Sequence, residues 1–230
     1  MDSHTRKELK TDHFVEEVGH GFEFLTRHKK ETLRILAVVL VGVAAVSGGY
    51  AWHQAQRSTR MELLSKAYLV QAAPFGQPSP DHTPPYVTAA ERDRAAQKIF
   101  EEVVNKYPNS EEAQIAQYFL GSYAANSANW TEAEKRLQAA ATKGSANTAS
   151  LAKFLLAQVY AAQNRTAEAE KLLRQLIDKP TIVVSKEQAS LTLGRLLLAT
   201  NPTEAKKLLE PLRGGKPAIS RAAVAALGAP

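Results

Sequence analysis

Residues 96–100 read AQKIF, 133–137 read AEKRL, 169–173 read AEKLL and 205–209 read AKKLL. The four alanines stand 37, 36 and 36 residues apart. A second series precedes the last three: Leu120-Gly121, Leu156-Ala157 and Leu193-Gly194. Each small residue there lies 11 or 12 positions before the next alanine of the first series. A fixed period of this length is the mark of stacked supersecondary units. The spacing predicts a helix carrying Leu and a small residue, a short turn, then a helix opening on Ala. Small residues at Gly121, Ala157 and Gly194, and at Ala96, Ala133, Ala169 and Ala205, let two backbones approach. The large residues four positions later, Phe100, Leu137, Leu173 and Leu209, are expected to fill the seam with the next unit. No unit of this kind buries its apolar face alone, so several must stack.

Local signals agree with helices throughout. Alanine, the strongest helix former, accounts for 38 of the 230 residues. Thr131 with Glu134 fits a capping box. Asn201, Pro202 and Glu204 fit N-cap, N1 and N3 of a later helix. Pro108 and Pro180 end two second helices. The only β-branched run, Thr181-Ile182-Val183-Val184, follows Pro180 and is expected to be a linker. Residues 74–85 hold five of the 11 prolines and are expected to be an irregular insertion. It splits the first unit's helix, about Arg60 to Ala73, from its partner. Residues 218–227 fit a C-terminal capping helix. The fold class expected is all-α, a helical-repeat solenoid.

These residues resemble tetratricopeptide repeats over roughly residues 60–213. Ala96, Phe100 and Pro108 match the end of one unit. Gly121, Ala133 and Leu137 match the second unit, and Ala157, Tyr160, Ala169 and Leu173 the third. Gly194 and Leu197 match the fourth, where Ala205 arrives one residue early. The family's usual aromatic near the start of each first helix is replaced here by Gln117, Lys153 and Ser190.

A different pattern precedes the repeats. Ile35 to Trp52 is an 18-residue run without a charge. As a helix it rises about 27 Å, close to the roughly 30 Å hydrocarbon thickness of a bilayer. Tyr50 and Trp52 at its far end suit the headgroup interface. A cleaved signal peptide would need a charged leader of 34 residues, which is unusual, and Ala45-Val46-Ser47 is only a mediocre cleavage site. The expectation is a single uncleaved transmembrane helix over 35–52, anchored by Ile35, Tyr50 and Trp52. Residues 1–34 carry seven Lys and Arg, against three in the stretch after the span (Arg57, Arg60 and Lys66). Positive residues favour the cytoplasmic side. The tail over 1–34 is therefore expected in the cytoplasm, and residues 53–230 outside it, periplasmic at a bacterial inner membrane. In the tail, Phe14, Val15, Val18, Phe22 and Leu25 recur at helical spacing opposite Glu16, Glu17 and Glu23, a short amphipathic helix.

Composition excludes several classes. With 44% hydrophobic and 23% charged residues the chain is neither polytopic nor disordered. The absence of Cys removes disulfides, thiolate metal sites and thiol catalysis. The net charge of +6 is spread along residues 53–230 rather than clustered on one face with aromatics, so no nucleic-acid partner is expected. Six histidines form no i, i+4 pair and no zinc motif. No nucleophile elbow, phosphate loop or dinucleotide fingerprint occurs. Glu101-Glu102 and Glu111-Glu112 are adjacent pairs that split around a helix. No catalytic, cofactor or metal site is expected, and the chain is not read as an enzyme.

What remains is surface. By the tetratricopeptide resemblance, the first helices line a groove. Tyr118, Phe154 and Leu191 share one repeat position and would form an apolar stripe across three units. Ser122, Asn126, Gln158 and Arg195 would flank it with polar groups. Such a groove suits a peptide segment; the alternative reading is that the stripe packs against the array's own terminal helices or is ordinary core. The order of parts, with Phe22-x-Phe24, Lys29-Lys30, the Ile35–Trp52 span and the repeat alanines, resembles the YfgM-type ancillary subunit of the bacterial Sec translocon. That resemblance implies protein partners: translocon subunits, periplasmic chaperones or exported chains. The same architecture also suits an assembly or coordination factor for envelope, pilus or cell-division machinery.

Overall fold

The computed structural model describes residues 29–77 and 84–228. The amphipathic helix expected in the tail lies outside them. The chain divides into two compact units, residues 1–58 and 59–230.

Helix α1 spans Lys29–Gln71. It contains the apolar run, and it is long and apolar enough to cross a membrane, with none of that stretch buried by protein. No Gly or Pro lies between Trp52 and Gln71, so nothing interrupts the backbone ladder where the sequence reading closed one element and opened another. The expected first-repeat helix near Arg60 is thus the C-terminal part of α1, and it ends shortly before Pro74.

The second unit contains α2 (Ala89–Lys106), α3 (Glu111–Asn126), α4 (Trp130–Lys143), α5 (Ala146–Ala162), α6 (Thr166–Asp178), α7 (Lys186–Leu197) and α8 (Pro202–Leu209). A 3-10 turn (Glu210–Gly214) and α9 (Pro217–Gly228) follow. From α2 to α8 each helix packs on the next in sequence, and α3 also meets α5. No strand occurs among the described residues, only a single bridge between Phe75 and Tyr86. The Thr181–Val184 run is a linker turn, as expected, because Thr181 Oγ1 caps the Val184 amide at 3.1 Å.

The repeat positions are closely packed. Ala96, Phe100, Ala133, Leu137, Ala157, Ala169, Leu173, Ala205 and Leu209 are all within 1% of full burial, and Gly121 and Gly194 are buried. The glycines show why no side chain fits. A Cβ on Gly121 would lie 2.7 Å from Leu137 Cγ, and one on Gly194 would lie 2.6 Å from Leu209 Cγ. Carbon atoms rest at about 3.5–4.0 Å. Leu137 and Leu209 therefore sit over the glycine of their own repeat, not only in the seam with the next.

One cap differs from expectation. Helix α4 begins at Trp130, and Asn129 rather than Thr131 caps it, accepting from the Glu132 amide at 3.3 Å. The start shifts because Ala128 takes a left-handed conformation (φ 55°) and turns the chain early; Asn164 does the same before α6 (φ 61°). Asn201 caps α8 as expected, through the Glu204 amide. Each first helix opens on a serine: Ser110, Ser145 and Ser185 accept amide bonds at 3.1, 3.4 and 3.2 Å. Such caps contribute about 1 kcal/mol each.

Arginines join successive second helices. Arg136 on α4 reaches Glu101 on α2 at 2.7 Å, and Arg174 on α6 reaches Glu204 on α8 at 2.6 Å. Arg165, at the start of α6, meets Glu134 on α4 at 2.6 Å and lies over the Tyr160 ring at 4.1 Å. The Arg165 hydrogen bond, the largest influence, holds the Glu134 carboxyl below the usual carboxylate range against the opposing effect of burial. Deeper in, Arg60 on α1 pairs with Glu112 on α3 at 3.1 Å, with only 14% and 7% of their side chains exposed.

Candidate functional site

The first helices α3, α5 and α7 carry the residues singled out for a groove. Serine caps fix where each helix starts, and the glycine or alanine on the opposite side fixes how closely it seats on its second helix. The remaining face is thereby set by position.

That face is neither an open apolar stripe nor wholly internal. Tyr118 and Phe154 are half-buried against the central core, and Phe154 also packs toward Leu176, Val184 and Ala189. Ser122 is half-buried, whereas Asn126, Gln158 and Arg195 are exposed. Leu191 departs from the groove expectation. It is 8% exposed and packs with Leu209, Leu212, Ala223 and Ala226, under the C-terminal helix α9. Arg195 donates to the Ala222 carbonyl of that helix at 3.2 Å. In the fourth repeat, then, the array's own terminal helix covers this position. Tyr118 stacks edge-on to Phe119 at 5.2 Å, and burial pushes its hydroxyl pKa up. Tyr118 therefore stays neutral at physiological pH, a hydrogen-bonding phenol rather than an anion.

Sequence reasoning missed part of the face. Ile115 and Phe119 on α3, and Leu151 and Leu155 on α5, are half-buried apolar residues one turn apart on their helices. Their i, i+4 spacing was the available signal. Phe119 stacks on Phe100 at 5.0 Å and meets Tyr68 of α1 edge-on at 5.3 Å. The first unit's counterparts were missed too. Leu64 and Ala67 on α1 are buried at 3% and 0%, three residues apart like Tyr118 and Gly121. The proline-rich insertion hid them by lengthening the distance to Ala96.

A cleft of about 430 Å³ opens between α5 and the end of α6, lined by Ala149, Lys153, Leu176 and Pro180 among others. Lys153 stands where the tetratricopeptide pattern has a bulky aromatic. The rim is held by Ser150 and Thr181, whose hydroxyls lie 2.7 Å apart. No group of acidic, His or Cys side chains able to hold a metal occurs among the described residues.

A family model described as a tetratricopeptide repeat-like domain matches residues 27–187, more than half of the chain, and the chain belongs to that family. The matched region takes in the apolar part of α1 and ends at the start of α7; the fourth repeat and α9 lie beyond it. No curated protein and no solved structure matches the chain.

Proposed function

We propose that this tetratricopeptide repeat-like protein is a single-pass, membrane-anchored scaffold that binds segments of partner polypeptides along the first helices of its repeats. Repeat domains of this kind are typically non-catalytic and engage proteins. The observation that carries the reading is the chemistry of the face. Ile115, Tyr118, Phe119, Leu151, Phe154 and Leu155 are half-buried apolar groups. Ser122, Asn126 and Gln158 beside them are uncharged, and Arg195 is the one charge among the face residues named. Half-exposed rings flanked by uncharged groups favour apolar, uncharged chain segments, since burying an unpaired charge against them costs more than the contact returns.

The anchor reading rests on one helix of sufficient length and apolarity and on a family match that includes it. The excess of Lys and Arg before the span favours a cytoplasmic N-terminus and a repeat domain on the far side, the periplasm of a bacterium. In that position the partners are translocon subunits, exported chains and their chaperones, the role to which the architecture of tail, span and repeats is similar.

Two measurements test this. Phe154→Glu puts a carboxylate on the face at a half-buried site. Loss of binding to a permanently unfolded, reduced and carboxymethylated protein, with unchanged helicity, is expected; unchanged binding removes the face. Affinity capture from native membranes is expected to return translocon subunits. Recovery of envelope, pilus or division proteins alone would move the chain to that role.

A further inference from the structure

The exposed side of α1 carries a pattern that the span does not require and that the repeat core uses only through Tyr68. Ala37, Ala44, Ala51, Ser58 and Ser65 recur every seven residues, with Ala72 one residue past the helix end, so one seven-residue position holds only Ala or Ser. The companion position, three residues after Ala51, Ser58 and Ser65, holds Gln54, Met61 and Tyr68. Alternating steps of four and three residues keep these on one side of a helix and define the seam of a two-stranded coiled coil. Beyond Trp52 the helix has Arg57, Arg60, Glu62 and Lys66, and none falls on the seam. The opposite side of α1 is spent on the core through Leu64 and Ala67. Most of the seam side is open: Ser58 and Ser65 are exposed, Met61 is 50% exposed and Leu69 beside them 71%, while Tyr68 turns its ring onto Phe100 and Phe119 of the core.

We infer that this side of α1 is a homodimer seam, taken by α1 of a second copy lying parallel and in register. The flanking charges specify that occupant. In a parallel pair the residue before one small position faces the residue five later on the partner helix. Here those are Arg57 and Glu62, of opposite sign, so two copies form the pair twice by symmetry. Both side chains are exposed, and neither has an ion-pair partner within its own chain among the described residues. An antiparallel pair, or a helix of unrelated sequence, would not bring these two charges together. Small residues along the seam permit close backbone approach, which is also what drives helix association in lipid. The parallel direction rests on the anchor reading, because two copies inserted the same way in one bilayer run their spans the same way.

The chain has no cysteine, so single cysteines report contacts cleanly. In the full-length protein in native membranes, Ser58→Cys and Ser65→Cys are each expected to give a disulfide-linked homodimer on mild oxidation. Lys66→Cys, off the seam, is expected to give several-fold less. Arg57→Glu should abolish the dimer, and Arg57→Glu with Glu62→Arg should restore it; all these positions are exposed, so folding is not at stake. Equal crosslinking at positions 65 and 66, no crosslinking at all, or an adduct with a different protein would overturn the seam. Crosslinking only between a Ser58→Cys copy and a Ser65→Cys copy would mean an antiparallel pair and overturn the registered dimer. Vesicle proteolysis tests the anchor separately: repeats digested from the cytoplasmic side would remove the topology while leaving the crosslinking result to stand or fall alone.

Discussion

Replacing Gly121 by Ala tests the packing logic of the array. Two effects oppose each other. In a helix interior, Ala is favoured over Gly by about 1 kcal/mol. Against that, the new Cβ would lie 2.7 Å from Leu137 Cγ, 2.8 Å from Leu137 Cδ2 and 3.3 Å from Arg136 Cβ. Leu137 is fully buried and would have to retreat by about 1 Å to regain ordinary carbon contact. Overpacking a filled core costs about 1–3 kcal/mol, so Gly121→Ala should destabilise by about 1 kcal/mol net, taking the middle of that range less the helix term. Leu137→Ala alone should cost about 2–5 kcal/mol as a cavity. In that background the obstructing leucine is gone, the helix preference is unopposed, and adding Gly121→Ala should stabilise by about 1 kcal/mol. The sign of one substitution is thus predicted to reverse with its neighbour. Urea unfolding of the full chain in detergent would measure it, followed by Trp130 fluorescence with Trp52 replaced by Phe. Gly121→Ala having the same sign in both backgrounds would refute the close-approach argument.

Three further outcomes follow from other contacts. Arg60→Ala should cost about 3 kcal/mol in urea unfolding, because it leaves the Glu112 carboxylate buried without its partner. Adding Glu112→Gln should recover part of the loss, and a cost near zero would show that the pair is solvated. Ala128→Gly should stabilise by about 0.5–1 kcal/mol, since Ala128 holds a left-handed φ of 55° that glycine adopts without strain; a drop in the urea midpoint would contradict it. The Glu134 carboxyl is depressed in the folded state, chiefly by the Arg165 hydrogen bond. Its contribution is therefore complete above the ordinary glutamate pKa of about 4.3 and is lost as pH falls through the lower folded value. Arg165→Gln should flatten the decline in stability as pH falls below about 4.3, and an unchanged slope of the urea midpoint against pH would show that the pair does not couple to folding.

The all-α repeat architecture was legible because its contacts recur. When the same helix pair meets in every unit, the small residue at the crossing must return at the same interval, and the interval survives even where local propensity is ambiguous. Gly121, Gly194 and the buried alanines could be found for that reason. A helix long and apolar enough to cross a membrane was legible because a charge-free run of that length can be read directly from the sequence. The candidate face was legible only in part. Helical spacing placed Tyr118 and Phe154 on the first helices, but a half-buried ring and an exposed one have the same spacing.

By itself, then, the sequence determined the repeat period, the helix content, the close crossings and a helix able to span a bilayer. Each of these is set by interactions between residues near in the chain or repeated at a fixed interval. Only the tertiary structure decided that Leu191 belongs to the core under α9, that Arg60 meets Glu112, and that Arg136 and Arg174 bridge neighbouring repeats. These contacts join residues about 30 to 50 positions apart, and they depend on how much of each helix face the next helix covers. It also decided that α1 runs unbroken through the point where hydropathy changes. Hydropathy reports solvent preference, whereas continuity is set by backbone hydrogen bonds that no Gly or Pro interrupts between Trp52 and Gln71.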